Sequence, residues 1–155
     1  MAEAGQAAPD VELPGDDGKT FRLSKHKGKP VVLYFYPKDD TSGCTREAKD
    51  FSALAADFEK AGVTVVGISP DSVESHAKFR KKHDLTIGLI ADTEKTVANA
   101  YGVWVEKSMY GRKYMGVDRS TFLIDGKGRI VKAWRKVKVP GHAEEVLAAA
   151  RALST

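Results

Sequence analysis

Two runs of the chain are apolar at every step. "PVVLYFY" (30–36) and "VTVVGIS" (63–69) are rich in β-branched and aromatic residues. Successive side chains of a strand point to opposite faces, so such runs predict strands covered on both sides. Between them the period changes. From Cys44, apolar residues recur at Ala48, Phe51, Ala55 and Phe58. Steps of four and three mark one face of a helix, read here as spanning 43–60. Strand, helix and strand make a βαβ unit with a right-handed crossover.

The remaining pattern completes an α/β order. "DVELPGDDGKTFRL" reads as two short strands around a turn punctuated by Pro14, Gly15 and Gly18. A helix over 72–83, a short strand at "IGLIAD" and a short helix over 95–101 follow. "STFLID" and "RIVKAW" flank "GKG", a hairpin signal. "KAWRKVKV" (132–139) alternates and reads as a strand with one wet face. The last helix covers 142–152. No repeat, low-complexity tract or linker divides the chain, so one domain over 1–155 is expected.

Composition narrows the class. Hydrophobic residues make up 42% and charged residues 30%, as in ordinary globular chains. No apolar run approaches the roughly 20 residues of a membrane span, and "MAEAGQAAPD" has no basic-then-apolar signal segment. The net charge of +4 comes with no nucleic-acid recognition motif, so nucleic acid is not an expected partner. A single cysteine cannot form an internal disulfide, which points to a reducing cytoplasm. The histidines (His26, His76, His83, His142) are scattered. His76 and His83 share a helix face, expected to be solvated rather than metal-binding, and no metal or cofactor is expected.

The single thiol then draws attention. "PKDDTSGCTREAKDF" puts Cys44 on the inward face of a helix, in its first turn, behind a polar loop. Thr41 or Ser42 can supply a capping hydroxyl. The free N–H groups and partial positive charge of a helix N-terminus favour a thiolate. The loop also follows the C-terminal end of a buried strand, where α/β folds place their sites. A lone cysteine is as readily a small buried hydrophobe, and these arguments leave the two readings even. A phosphatase-type loop needs an arginine six residues on, where Asp50 stands. A dithiol needs C-x-x-C, and "SGCTRE" carries no papain-like signature. Single-cysteine redox or nucleophilic chemistry is what remains.

"YFYPKDDTSGCTREAKDF" resembles the active-site segment of peroxiredoxins, with Pro37, Thr41 and Cys44 in the pattern P-x-x-x-T-x-x-C. "LPGDDGKTFRLS", "VVGISPDSVESHAKFRKKHDL" and "YGVWVEKSMYGRKYMGVDRSTFLID" extend the resemblance over nearly the whole chain, closest to the bacterioferritin-comigratory-protein or PrxQ subgroup. The resemblance implies a thioredoxin-like fold, a central mixed sheet flanked by helices. It implies a peroxidatic Cys44 that becomes a sulfenic acid, and a Thr41 that accepts a hydrogen bond from the peroxide. Pro37 and Gly43 would shape the loop, and Arg119 would favour the thiolate. Glu47 would orient that arginine, and Tyr110 or Met115 would line the pocket. Nothing but the resemblance separates Arg119 from other surface basic residues.

The chain departs from the subgroup at Ser42, where proline is common, and at Lys49 and Arg80, where a second, resolving cysteine would stand. A one-cysteine cycle is therefore implied, with hydroperoxide as substrate. The reductant would be an external thiol: thioredoxin, glutaredoxin or glutathione. A monomer is implied, with a homodimer as the alternative. A peroxide sensor without turnover, and a holdase-like module, are the competing classes.

Overall fold

The computed structural model describes residues 2–153. Met1, Ser154 and Thr155, the ends of the expected domain, lie outside the described residues. The chain opens with β1 (Glu12–Pro14), β2 (Thr20–Arg22) and a 3₁₀ turn at Leu23–His26. Then come β3 (Val31–Phe35), α1 (Ser42–Ala53), α2 (Ala55–Lys60), β4 (Thr64–Ser69) and α3 (Val73–His83). After β5 (Gly88–Ala91) and α4 (Thr96–Ala100) follow β6 (Trp104–Met109), β7 (Arg112–Val117), β8 (Ser120–Ile124), β9 (Ile130–Trp134) and α5 (His142–Leu153).

Both apolar runs become central strands. The main sheet has the order β5-β4-β3-β8-β9. β3, β4 and β5 run parallel, while β8 and β9 are antiparallel to their neighbours, so the sheet is mixed. This is the thioredoxin-like arrangement, with helices on both faces. Every residue of β3 is buried. Val32, Tyr34 and Tyr36 pack in one core with Phe51, Phe58, Phe79 and Val146 from α1, α2, α3 and α5. Val31, Leu33 and Phe35 pack in the other with Val97, Tyr101 and Phe122. Each such side chain contributes about 1.5–3 kcal/mol when fully buried, so β3 is anchored from both sides. Gly67 faces Tyr34 across the β3–β4 ladder. A Cβ at Gly67 would lie 2.6 Å from the Tyr34 ring, and only glycine lets that ring lie there.

The structure departs from the sequence pattern in three places. The helix over 43–60 breaks at Leu54, whose N–H reaches back three residues to the Phe51 carbonyl, a tightened last turn. Phe51 and Phe58 share one core across the break, so the apolar stripe gave no sign of it. The strand expected over 132–139 stops at Trp134. Beyond it the Arg135 guanidinium turns inward to the Ala2 carbonyl at 2.5 Å, and the Val137 N–H bonds the Arg119 carbonyl at 3.0 Å. A loop that serves side-chain and tertiary partners replaces the ladder. The third departure is the β6–β7 hairpin, a separate two-stranded sheet turning through Tyr110 (φ 52) and Gly111 (φ 79). Two positive φ values are what a primed two-residue turn requires.

Candidate active site

The chain leaves β3 through a loop over 37–41 and enters α1 at Thr41, whose φ of −91 and ψ of 157 are extended. Pro37, partly buried, has no N–H and fixes the start of this loop. The Thr45 N–H bonds the Thr41 carbonyl at 2.8 Å and opens the helical ladder. The amides before it have no intrahelical acceptor and give this end its partial positive charge. Neither candidate hydroxyl caps it. Thr41 instead donates to the Lys38 carbonyl at 2.9 Å. Its proton is thereby committed, and the oxygen is left as an acceptor. Ser42 is exposed.

Cys44 lies one turn in and is 2% exposed. Glu47 lies three residues further along the same helix face and is 1% exposed. Arg119, on the stretch that joins β7 to β8, reaches both. Its Nη2 lies 3.3 Å from Cys44 Sγ and its Nη1 donates to Glu47 Oε1 at 2.6 Å. Gly43 makes room, since a Cβ there would lie 3.3 Å from Nη2. The arginine is held from behind: the Asp118 N–H bonds the Val103 carbonyl at 2.8 Å, and the Arg119 carbonyl accepts from Val137.

One cation therefore meets both a sulfur and a carboxyl group in a buried place. Burial pushes the Glu47 carboxyl up to about 7 against the pull of Arg119. Burial also works against the Arg119 charge, but Glu47 and Cys44 outweigh it and hold the guanidinium protonated. Burial, then Glu47 and Cys44, keep the Tyr34 hydroxyl a neutral phenol. Glu47 Oε2 and the Tyr34 hydroxyl are buried without hydrogen-bond partners. Nearby His142 donates to or accepts from Thr121 Oγ1 at 2.8 Å, and burial pushes its ring down to about 4, so it is neutral. The arrangement stabilises negative charge at the sulfur and at an atom bound next to it.

Of the residues expected from sequence, Gly43, Cys44, Glu47 and Arg119 meet directly, and Pro37 and Thr41 form the loop leading to them. Tyr110 is 99% exposed at the hairpin turn, and Met115 is half exposed on β7. Lys49 points outward from α1. Arg80 has a structural partner set of its own, holding Asp16 and the carbonyls of Leu85 (2.7 Å) and Ile87 (2.5 Å). His76 and His83 are not a solvated face. His76 is fully buried against Asp39, and His83 bonds Asp40 at 2.8 Å. Among the described residues no group of three or more histidines, cysteines or acids is placed to hold a metal. The ties from Asp39 and Asp40 to α3 escaped the sequence reading; the one local sign was an acid pair beside Thr41.

The AhpC/TSA family model matches residues 4–133. Peroxiredoxin Bcp of Bacillus subtilis is 53% identical over 145 residues, covering 94% of this chain and 92% of that protein. A Xanthomonas campestris bacterioferritin comigratory protein, solved in a study of its alkyl peroxide reduction activity, superposes with a TM-score of 0.89 at 45% identity, over 94% of this chain and 92% of that one. A cysteine-to-serine mutant of Xylella fastidiosa PrxQ superposes with a TM-score of 0.94 at 40% identity, over 100% of this chain and 99% of that one.

Proposed function

Since the chain belongs to the AhpC/TSA family, as a peroxiredoxin of the Bcp/PrxQ group and a thiol-dependent peroxidase, we propose that Cys44 is its peroxide-attacking group. The observation that carries this is the contact of Arg119 Nη2 with a buried Cys44 Sγ at the start of α1. The thiolate attacks one oxygen of the hydroperoxide. An S–O bond forms, the O–O bond breaks, and the other oxygen leaves as water or alcohol after taking up a proton. Sulfur is oxidised by two electrons to a sulfenic acid.

The neighbours have distinct roles. Arg119 favours the thiolate and draws charge from the breaking O–O bond. Thr41, with its own proton committed to Lys38, accepts from the peroxide O–H and holds it in line. Glu47 orients Arg119. Pro37 and Gly43 shape the loop and admit the guanidinium.

The cycle closes with external thiol. A first thiol attacks the sulfenic sulfur, releasing water and forming a mixed disulfide; a second displaces Cys44 as thiolate. Thioredoxin, glutaredoxin or glutathione is the reductant in this reading. The protein acts as one domain over 1–155, as a monomer, in the cytoplasm, where a lone thiol stays reduced. No described helix is long and apolar enough to cross a membrane.

The test is turnover of hydrogen peroxide and an organic hydroperoxide with dithiothreitol, glutathione and thioredoxin side by side. Sustained consumption with at least one thiol is expected. If no thiol supports more than one turnover, a peroxide sensor replaces the enzyme.

A further inference from the structure

Asp39 sits in the loop between β3 and Thr41, and it is buried. Its carboxylate accepts from the Tyr36 hydroxyl at 2.6 Å and the Ser75 hydroxyl at 2.8 Å, and it meets His76 Nδ1 at 2.7 Å. Its own N–H donates to Asp71 Oδ2 at 2.8 Å. His76, on α3, is fully buried, and its Nε2 lies 2.9 Å from the Ile90 carbonyl of β5. Both ring nitrogens therefore face oxygen acceptors. A neutral imidazole has one N–H, so it leaves one of these contacts as lone pair against lone pair in a fully buried place. Only the imidazolium donates to both.

We propose that His76 is a positioning residue for peroxide reduction: as a doubly donating imidazolium it holds Asp39, and through Asp39 the loop that carries Thr41 and leads to Cys44. The role rests on the reading of Cys44 as the peroxide-attacking group. A second tie exists, from Asp40 to Lys82 (2.7 Å) and His83 (2.8 Å). The Asp40–Lys82 pair is solvent-exposed and contributes little. Asp40 itself sits at φ 60, a backbone state that aspartate only tolerates. The buried tie is the one that fixes the loop. Thr41 anchors on the Lys38 carbonyl, and the next amide belongs to Asp39. A shift of Asp39 therefore moves the acceptor that meets the peroxide.

The groups facing the ring set the direction of its titration. Tyr36 and Asp39 face it from β3 and its loop, Asp71 from the turn after β4, and the Ile90 carbonyl from β5. Burial works against the charge, but the Asp39 hydrogen bond and charge, the Ile90 carbonyl and Asp71 outweigh it, and the His76 pKa lies above its ordinary 6.5. Tyr36 stays neutral, its pKa raised well above the usual value by burial. The ring thus holds its second proton to higher pH than a free imidazole and loses it as pH rises through the raised value. Loss of the ring proton therefore gives the rate a falling alkaline limb.

The experiment uses the full chain. Ring ¹⁵N NMR reads the protonation of His76, and single-turnover rates with hydrogen peroxide are measured against pH for wild type, His76→Asn and His76→Phe. Asparagine keeps an N–H at the Nδ1 position and has no proton to lose. The expected result is a doubly protonated ring near neutral pH and a wild-type alkaline fall that tracks its deprotonation. The same fall should be absent from His76→Asn. His76→Phe should lower the rate about ten- to a hundredfold, the scale of a small misplacement at a reacting centre. A neutral ring, or the same alkaline limb in wild type and His76→Asn, overturns the role, and these two readouts decide it even where the phenylalanine variant fails to fold. A wild type inert to peroxide overturns the functional reading and this role with it. A flat alkaline limb in an active wild type overturns the role alone.

Discussion

Arg119 Nη2 lies 3.3 Å from Cys44 Sγ, while Nη1 of the same guanidinium lies 2.6 Å from Glu47 Oε1. The sulfur and the carboxylate compete for one cation. They stand three positions apart on one helix, so both meet the guanidinium from one face. Most of what the site can be asked experimentally follows from that competition.

Arg119→Met and Thr41→Val should each lower the second-order rate with hydrogen peroxide by roughly ten- to a thousandfold, the range for losing one preorganised polar group. Alkylation of Cys44 by iodoacetamide separates the two. It should slow near neutral pH in Arg119→Met, because the thiolate loses its cation. It should hold in Thr41→Val, because alkylation needs no acceptor for a peroxide. Equal alkylation rates in wild type and Arg119→Met would remove Arg119 from the sulfur.

Glu47 gives a stability signature. Its folded pKa of about 7 lies above the ordinary 4.5, so folding favours the protonated acid. Its contribution is full below about pH 4.5 and is lost as pH rises through about 7. Glu47→Gln cannot titrate. Urea unfolding of both proteins across this range should show wild type losing roughly 3 kcal/mol relative to the variant. Parallel stability curves would mean that Glu47 titrates in the folded protein where it does in the unfolded chain.

Much of this was readable in the chain itself. The strands at Val31–Phe35 and Thr64–Ser69 were visible because both faces are covered and every position is apolar. Cys44 was visible through its helix face and its place in the first turn. The β6–β7 hairpin was not, because its residues are mostly exposed and carry no alternation; its turn is Tyr-Gly rather than the common Asn-Gly. Arg119 had no local signal, since its meaning lies in a contact across 75 residues with Cys44. His76 looked like a surface histidine in a charged helix. What buries it is Asp39 and the Ile90 carbonyl, from elements that periodicity within one helix does not reach.

With one thiol in the chain, oxidised Cys44 has no internal partner. In excess peroxide without reductant, the sulfenic acid should go on to sulfinic or sulfonic acid. Intact mass should rise by two or three oxygens on the Cys44 peptide, and non-reducing gels should show no internally cross-linked band. Addition that stops at one oxygen under sustained excess would mean that the sulfur is shielded after the first step.

The most direct test is intact-protein and peptide mass spectrometry after one equivalent of hydrogen peroxide, with and without added thiol, with Cys44→Ser as control. The account predicts one oxygen on Cys44, its removal by thiol with return to the starting mass through repeated additions, and no uptake by the folded serine variant. Peroxide left unconsumed with Cys44 unmodified, or consumption undiminished in Cys44→Ser, would contradict it.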